Sequence, residues 1–357
     1  VWTYDRPATA DTFFRRQVAD RLQRCWSQGI ASRLGLEDAR PGPSSQRSTS
    51  AEYLDISRSG VHDLPQLPAN VFTHVQFLDM SNLRVPLEEL ERFLGAFTQV
   101  RALDLSRNGL TAIPQVLGEM RQVTDLDLAY NELTINPSIQ NRLNTLPQLQ
   151  KLSLQGNRVI ELDVSALTGL KALDLSDSGI RQWPTGVLQL PQLRQLNLSR
   201  SAITQVPEAA LQDHDQLMLG THLSGCRLSP QSCADLLAYA RRTGRDTAGD
   251  ISPQLLASGN TNGTPEFFPD EVSDNPDLLL PVAPGIDPGQ GHPDPGVLLQ
   301  RIHPGLGPDE ASAGIEQLRS QGLDGGQIDA RLLQWNNQYD ALVQRLNSWI
   351  DTPSYRY

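Results

Sequence analysis

The sequence predicts an α/β solenoid of about eight coils. A parallel strand ladder should line its concave face, with helical attachments at both ends. Three observations predict this. The frame L-x-L-x-x-N-x-L can be laid down eight times, its first position falling at Leu54, Leu78, Leu103, Leu126, Leu152, Leu173, Leu196 and, degenerately, Thr221. Several copies end in x-x-P-x-x-L, as in "AIPQVLGEM", "QWPTGVLQL" and "QVPEAALQD". Amphipathic stretches flank the array. One match to such a frame is chance, but eight in register, 21 to 26 residues apart, are a repeat.

Residues 1–50 should form a helical cap. Phe14, Val18, Leu22, Cys25 and Trp26 recur at helical spacing, with Asp11 or Thr12 as a candidate N-cap. Cys25 falls on the apolar side as a small buried hydrophobe. Residues 51–229 hold the repeats. Alternating leucines such as Leu103 and Leu105 point the same way from a short strand, and Leu110 turns back into the same core. Asn108, Asn131 and Asn157 stand where the chain bends, and their amides can satisfy backbone groups of neighbouring coils. Ser59, Ser178, Ser201 and Cys226 take that place elsewhere, so the array should be less regular towards its ends. Leu83 takes it in the second copy, and distortion is expected there. The proline half-repeats suit extended or 3₁₀ segments, whereas "INPSIQNRLNTL" is long enough for true helical turns.

The stretch "LSPQSCADLLAYARRTG" follows. Ser229 is a candidate N-cap, Pro230 the first helical residue, and Gly244 the stop, giving a capping helix over 230–244. On that helix Cys233, Leu236, Leu237 and Ala240 should share an apolar face, with Asp235 turned away. Residues 245–308 read as a Pro/Gly-rich linker. "APGIDPGQGHPDPGVLLQRIHPGLGP" should support neither helix nor paired strand; its aspartates lack an EF-hand frame, and Asn262 opens a sequon meaningful only in a secretory pathway. In 309–357, Ile328, Leu332, Trp335, Tyr339, Leu342, Leu346 and Trp349 form a heptad seam. The seam must bury itself on its own chain or on a partner.

Over about residues 51–229 the chain resembles the leucine-rich repeat family. "VHDLPQLPANV" is similar to a segment of bacterial type III effectors of the YopM and IpaH-like group. Later copies look like Pseudomonas-type effectors that join such repeats to helical segments and to a NEL-type ubiquitin ligase domain. That resemblance implies protein recognition, secretion and delivery into a host cell. It also draws attention to Cys233-Ala234-Asp235, since a Cys-x-Asp motif carries the nucleophile of those ligases. Here no histidine or basic cluster adjoins it in sequence to lower its pKa, and no helical domain surrounds it. The capping role is the reading adopted.

Composition narrows the function further. A net charge of −11 argues against nucleic acid, and no run of 18 apolar residues spans a membrane. Of 30 basic residues all but Lys151 and Lys171 are arginine, a sign of a GC-rich genome or of avoided lysine modification. Three cysteines and six scattered histidines make no disulfide framework and no metal-ligand spacing. The chain begins without Met and reads as a piece of something longer. With no catalytic constellation and no cofactor implied, recognition of a protein is the expected function, the partner being a host target or a domain of the parent. The alternative is a fragment of a ligase whose catalytic domain lies elsewhere; a receptor-like extracellular repeat lacks the disulfide-bonded caps. Oligomeric state is left open. The expected binding face comprises the acidic column of Asp104, Asp127 and Asp174 and the large side chains that break the pattern, Tyr53, Arg58, Arg107, Tyr130, Lys151 and Arg200.

Overall fold

The computed structural model describes residues 10–36, 51–146, 148–244, 294–303 and 306–352. Most of the 245–308 segment, with Asn262 and Asp287, lies outside the described residues. The chain divides into two compact units, one of Val1–Leu78, Glu88–Gln99 and Pro269–Tyr357, the other of Asp79–Leu87 and Val100–Phe268. Among the described residues no helix is long and apolar enough to cross a membrane.

Eight short strands follow one another in sheet order, β1 to β8: Tyr53–Asp55, Phe77–Asp79, Ala102–Asp104, Asp125–Asp127, Lys151–Ser153, Ala172–Asp174, Gln195–Asn197 and Thr221–His222. We number the coils one to eight after them. In the second unit the pairing is parallel and the framework leucines are in register, Leu103 opposite Leu126, Leu126 opposite Leu152, Leu152 opposite Leu173 and Leu173 opposite Leu196. Each is at most 1% exposed, as a coil that cannot bury its own leucines requires. The ladder continues past the strands: Leu105 N–H donates to Asp127 O at 2.8 Å and Leu198 N–H to His222 O at 2.9 Å.

The asparagines hold the bends. Asn131 Oδ1 accepts from Asn108 N–H (2.9 Å) and Leu110 N–H (3.0 Å), and Nδ2 donates to Leu105 O and Leu128 O, both at 2.9 Å. Coil two keeps the frame despite Leu83. Asn82 and Arg84 adopt φ of 55° and 57°, like Arg107 (59°) and Gly109 (69°) in coil three. The expected distortion is absent because Asn108 Oδ1, reaching from the next coil, accepts from both Leu83 N–H and Arg84 N–H at 2.8 and 3.0 Å.

The back halves vary as the prolines suggest, with one exception. Gln115–Gly118 and Val187–Gln189 are 3₁₀ turns. Two helices, α2 (Leu87–Leu94) and α3 (Pro137–Asn144), are followed along the chain by α4 (Glu208–Asp213) and α5 (Asp215–Leu219). Helix α3 starts at Asn136, whose side chain accepts from Ile139 N–H at 2.9 Å. The "QVPEAALQD" segment is α-helical, not 3₁₀, because Pro207 precedes a run of good helix formers, Glu208-Ala209-Ala210-Leu211. Helix α6 (Pro230–Thr243) ends the second unit, with Ser229 as N-cap and Gly244 left-handed at φ 76°. Its buried stripe is Ser232, Leu236 and Tyr239. Leu237 is exposed and Cys233 only half-buried, which corrects the expected face by about one position.

In the first unit α1 (Ala10–Arg33) buries Val18, Leu22, Cys25 and Trp26. It already includes Ala10, so Asp11 sits in its first turn and neither Asp11 nor Thr12 is its N-cap. Helices α7 (Pro295–Ile302), α8 (Pro308–Ser320) and α9 (Gly325–Asp351) follow. Helix α7 overturns the expectation of no regular structure in its segment. Asp294 caps it, Pro295 takes the tolerated first position, and Leu298, Leu299 and Ile302 bury one face. All seven seam residues of α9 are buried, and α9 packs on α7 and α1. The Trp26 and Tyr339 ring centroids are 5.4 Å apart. Buried Arg15 reaches Trp349 O at 2.9 Å and pairs with Asp63, which also accepts from Trp349 Nε1 at 3.0 Å. The seam is therefore covered by its own chain.

Candidate protein-binding face of the strand ladder

Side chains flanking the framework leucines leave the ladder in columns, one residue per coil. The column just before the first leucine includes Asp125 and Lys151, opposite one another in register. Lys151 Nζ lies 2.8 Å from Asp125 Oδ2, so this cation is partnered within the face. Tyr53 holds the same position in coil one and is half-buried.

The next column is acidic, and its main work is local. Asp55, Asp79, Asp104, Asp127 and Asp174 each accept through Oδ1 from the N–H two residues on, at 2.8, 2.9, 2.7, 2.8 and 2.8 Å. These are Asx turns that start the bend. Asp104 and Asp174 are buried, and the second oxygen of Asp174 accepts from Asn197 Nδ2 at 3.1 Å. Burial, then the neighbouring charge of Asp104, pushes the Asp127 carboxyl up to about 7. Burial likewise raises Asp174.

The residue just before the asparagine position forms a column with a common backbone state. Arg58 (φ 50°), Asn82 (55°), Arg107 (59°), Tyr130 (53°), Gly156 (69°), Asp177 (54°), Arg200 (53°) and Gly225 (76°) are all left-handed. The ladder imposes it: the N–H groups of Arg107, Tyr130, Asp177 and Arg200 donate to Ala129, Gln155, Ser199 and Ser224 carbonyls at 2.9, 2.6, 3.0 and 2.7 Å. Glycine takes this conformation freely, and Asn or Asp tolerates it, but a bulky side chain costs roughly 1–2 kcal/mol there. Arg58, Arg107, Tyr130 and Arg200 stand there nonetheless.

In the second unit these side chains stack coil upon coil. The Arg107 guanidinium carbon sits 4.2 Å from the Tyr130 ring centroid, a cation–π pair. Tyr130 is 41% exposed and lies over Gly156, where an added Cβ would come within 2.6 Å of Tyr130 Cδ1. Further along, Arg200 Nε and Nη2 grip Asp177 at 2.8 and 2.6 Å. Beside Tyr130 an open depression of about 440 Å³ is lined by Asn82, Arg84, Arg107 and Glu132 among others. The structure thus joins Arg107 to Tyr130 and gives Lys151 and Arg200 acidic partners. Arg58 is exposed in the first unit. Sequence reading missed Asp125, Asp177 and Gly156; the signal for the last was a glycine where neighbouring coils carry large side chains.

The thiols offer no comparable site. Cys25 Sγ lies 3.7 Å from His74 Nε2, but burial pushes the thiol up to about 12 and the imidazole down to about 4, leaving both neutral. Cys233 contacts Leu228 O at 4.0 Å, and Asp235 accepts from Gln231 Nε2 at 2.8 Å.

Parallel ladder, buried asparagines and leucine frame together define a leucine-rich repeat fold. A leucine-rich repeat sequence profile matches residues 98–159. No curated protein sequence matches the chain. Solved structures with fold similarity include the functional domain of InlJ from Listeria monocytogenes, which includes a cysteine ladder, at 19% identity and TM-score 0.35, over 56% of this chain and 44% of that one. Another is an internalin, InlF, from Listeria monocytogenes strain 4b F2365, at 17% identity and TM-score 0.39, over 50% of each chain. The chain spans about half the length of these two structures.

Proposed function

We propose that this chain is the target-recognition part of a secreted bacterial effector, delivered into a host cell, and that coils three to seven present its working face. The leucine-rich repeat fold suggests a protein–protein interaction role; the effector assignment rests on the resemblance of "VHDLPQLPANV". The observation that carries the choice of face is the left-handed column. Large side chains occupy positions where glycine would be unstrained, and strain of this kind concentrates at functional sites. Arg107 and Tyr130 supply a preorganised cationic and aromatic anchor, Lys151 and Arg200 flanking charge, and Asp104, Asp127 and Asp174 the acidic bed beneath. A partner of mixed charge with an exposed apolar group fits this face.

The test uses the full chain as bait in host lysate, beside an Arg107→Ala/Tyr130→Ala double variant with unchanged circular dichroism. A host protein held by the wild type and released by the double variant supports the assignment, with an affinity loss of roughly 1–3 kcal/mol at a hot spot. A partner that survives the double change moves recognition off this face. Catalysis by this chain is tested apart, with ubiquitin-charged conjugating enzyme. No thioester is expected; one that forms on the wild type and vanishes in Cys233→Ala would assign transfer chemistry to the capping helix.

A further inference from the structure

A second site stands in the first unit. A recess of about 350 Å³ is walled by α1, by residues 70–74 and by α9. That volume falls at the lower end of the range for small-molecule sites, roughly 300–1,000 Å³. Trp26 and Trp335, both almost fully buried, contribute its apolar wall. Arg33 on α1 and Arg331 on α9 contribute its charge, and Gln334 and Gln338 add amides. The lining holds no aspartate or glutamate, in a chain with 41 acidic residues against 30 basic ones.

We propose that this recess binds an oxyanion, a phosphate or carboxylate group of a small organic molecule, held between Arg33 and Arg331. Neither arginine has an ion-pair partner among the described residues. Arg33 Nη2 donates to Thr73 Oγ1 at 3.0 Å, which orients the guanidinium and leaves further N–H groups of its fork for a ligand. Both arginines are exposed at the mouth of the recess, and Arg33 is held below its ordinary value by partial desolvation first and then by the charge of Arg331. An anion between them would turn that repulsion into two charge-assisted hydrogen-bonded contacts.

His74 cannot take the place of a counter-ion. Its ring is seated where a Cβ on Gly29 would fall, 2.5 Å away, and Nε2 donates to Cys25 O at 3.0 Å. It is a neutral wall, so the charge facing a ligand is that of the two arginines.

The full chain is titrated by calorimetry with inorganic phosphate, with glycerol phosphate and with citrate, against chloride at matched ionic strength. Saturable one-to-one binding with Kd of about 1 mM or tighter is expected for at least one oxyanion, and the tighter probe tells phosphate from carboxylate. Arg33→Gln and Arg331→Gln should each weaken binding at least about tenfold. Arg121→Gln, exposed in the other unit, should leave it unchanged. Without anion, Arg331→Gln should melt at or above the wild-type temperature, since it removes repulsion from an exposed position. Absence of saturable binding by all three probes, or equal binding by both arginine variants, would overturn the proposal.

Discussion

Coils three to five and coils six to eight share one ladder but close their bends differently. Asn108, Asn131 and Asn157 each reach two coils: Nδ2 donates to a carbonyl of its own coil and to one of the coil before, while Oδ1 accepts from the coil before. Ser178 reaches only its own coil, donating to Leu175 O at 2.5 Å and accepting from Ile180 N–H at 3.5 Å. Cys226 touches Leu198 O at 3.1 Å with a weak thiol donor. Backbone ladder bonds nevertheless continue through coil eight. Stacked strands and shared leucines therefore suffice for the register, and asparagine adds a second stitch on top of it.

The comparison breaks most sharply at Asn131. Replacing it by alanine takes the acceptor from two N–H groups in a buried bend, those of Asn108 and Leu110, at about 1–3 kcal/mol for each that water cannot reach, while Leu105 O and Leu128 O keep Asn108 Nδ2 and Asn157 Nδ2 as donors. Asn131→Ala should lower unfolding free energy by about 3 kcal/mol in urea, and Ser178→Ala by about 1 kcal/mol. Equal losses would mean that the two halves are stitched alike.

Gly156 tests where the stacked face meets the last asparagine coil. It and Gly109 have the same φ of 69°, but an added Cβ meets nothing within 4 Å at Gly109 and the Tyr130 ring at Gly156. Gly109→Ala should cost about 1 kcal/mol of backbone strain. Gly156→Ala should cost about 1 kcal/mol more, or displace Tyr130, visible as a change in tyrosine fluorescence or accessibility. Identical stabilities with an unmoved Tyr130 would contradict the stacking.

Much of this was legible beforehand. Leucine spacing set the coils, and the asparagine chemistry followed from what an amide can bond. The left-handed column was not legible, because the constraint lies in the hydrogen bond from each N–H to the following coil, not in the residue types, and Arg107 or Tyr130 argues locally against it. The aspartates suit both a fold role and binding charge by residue type alone; the Asx turns assign one oxygen of each to the fold. Helix α7 was missed because prolines and glycines around it outweighed the short apolar stripe. The Cys233 face slipped because periodicity alone cannot place a stripe to within one residue.

The acidic column distinguishes the halves by pH. In coils three and four Asp104 and Asp127 are adjacent, whereas in the later coils Asp174 stands alone between Ser153 and Asn197. Asp127 has a folded value of about 7 against an ordinary value near 3.8, so the folded state holds its proton more tightly than the unfolded chain does. Its contribution is fully present below about pH 4 and is lost as pH rises through about 7. The wild type should lose stability between about pH 4 and 7 relative to Asp127→Asn, which keeps an acceptor for Ala129 N–H. Parallel pH profiles would show that Asp127 titrates normally.

The smallest expected effect lies at the far end of the ladder. Cys226→Ser exchanges a weak, long donor for a stronger, shorter one at the same bend. Leu198 O stays within reach only if the backbone closes slightly, and Ser201 Oγ, 3.4 Å from the sulfur, competes for the same hydroxyl. Better chemistry and poorer reach oppose each other, so the change should stay within about 0.5 kcal/mol. Cys226→Asn is the sharper companion. An amide there has the right chemistry to bond Leu198 O and its own coil, as Asn157 does in coil five, but the half-buried site was built around a smaller group. Stabilisation by about 1 kcal/mol would show that the last coil follows the asparagine rule and merely lacks the residue. Destabilisation would show that coils six to eight have repacked around small side chains, and that the boundary after Asn157 is a property of the fold rather than of three substitutions.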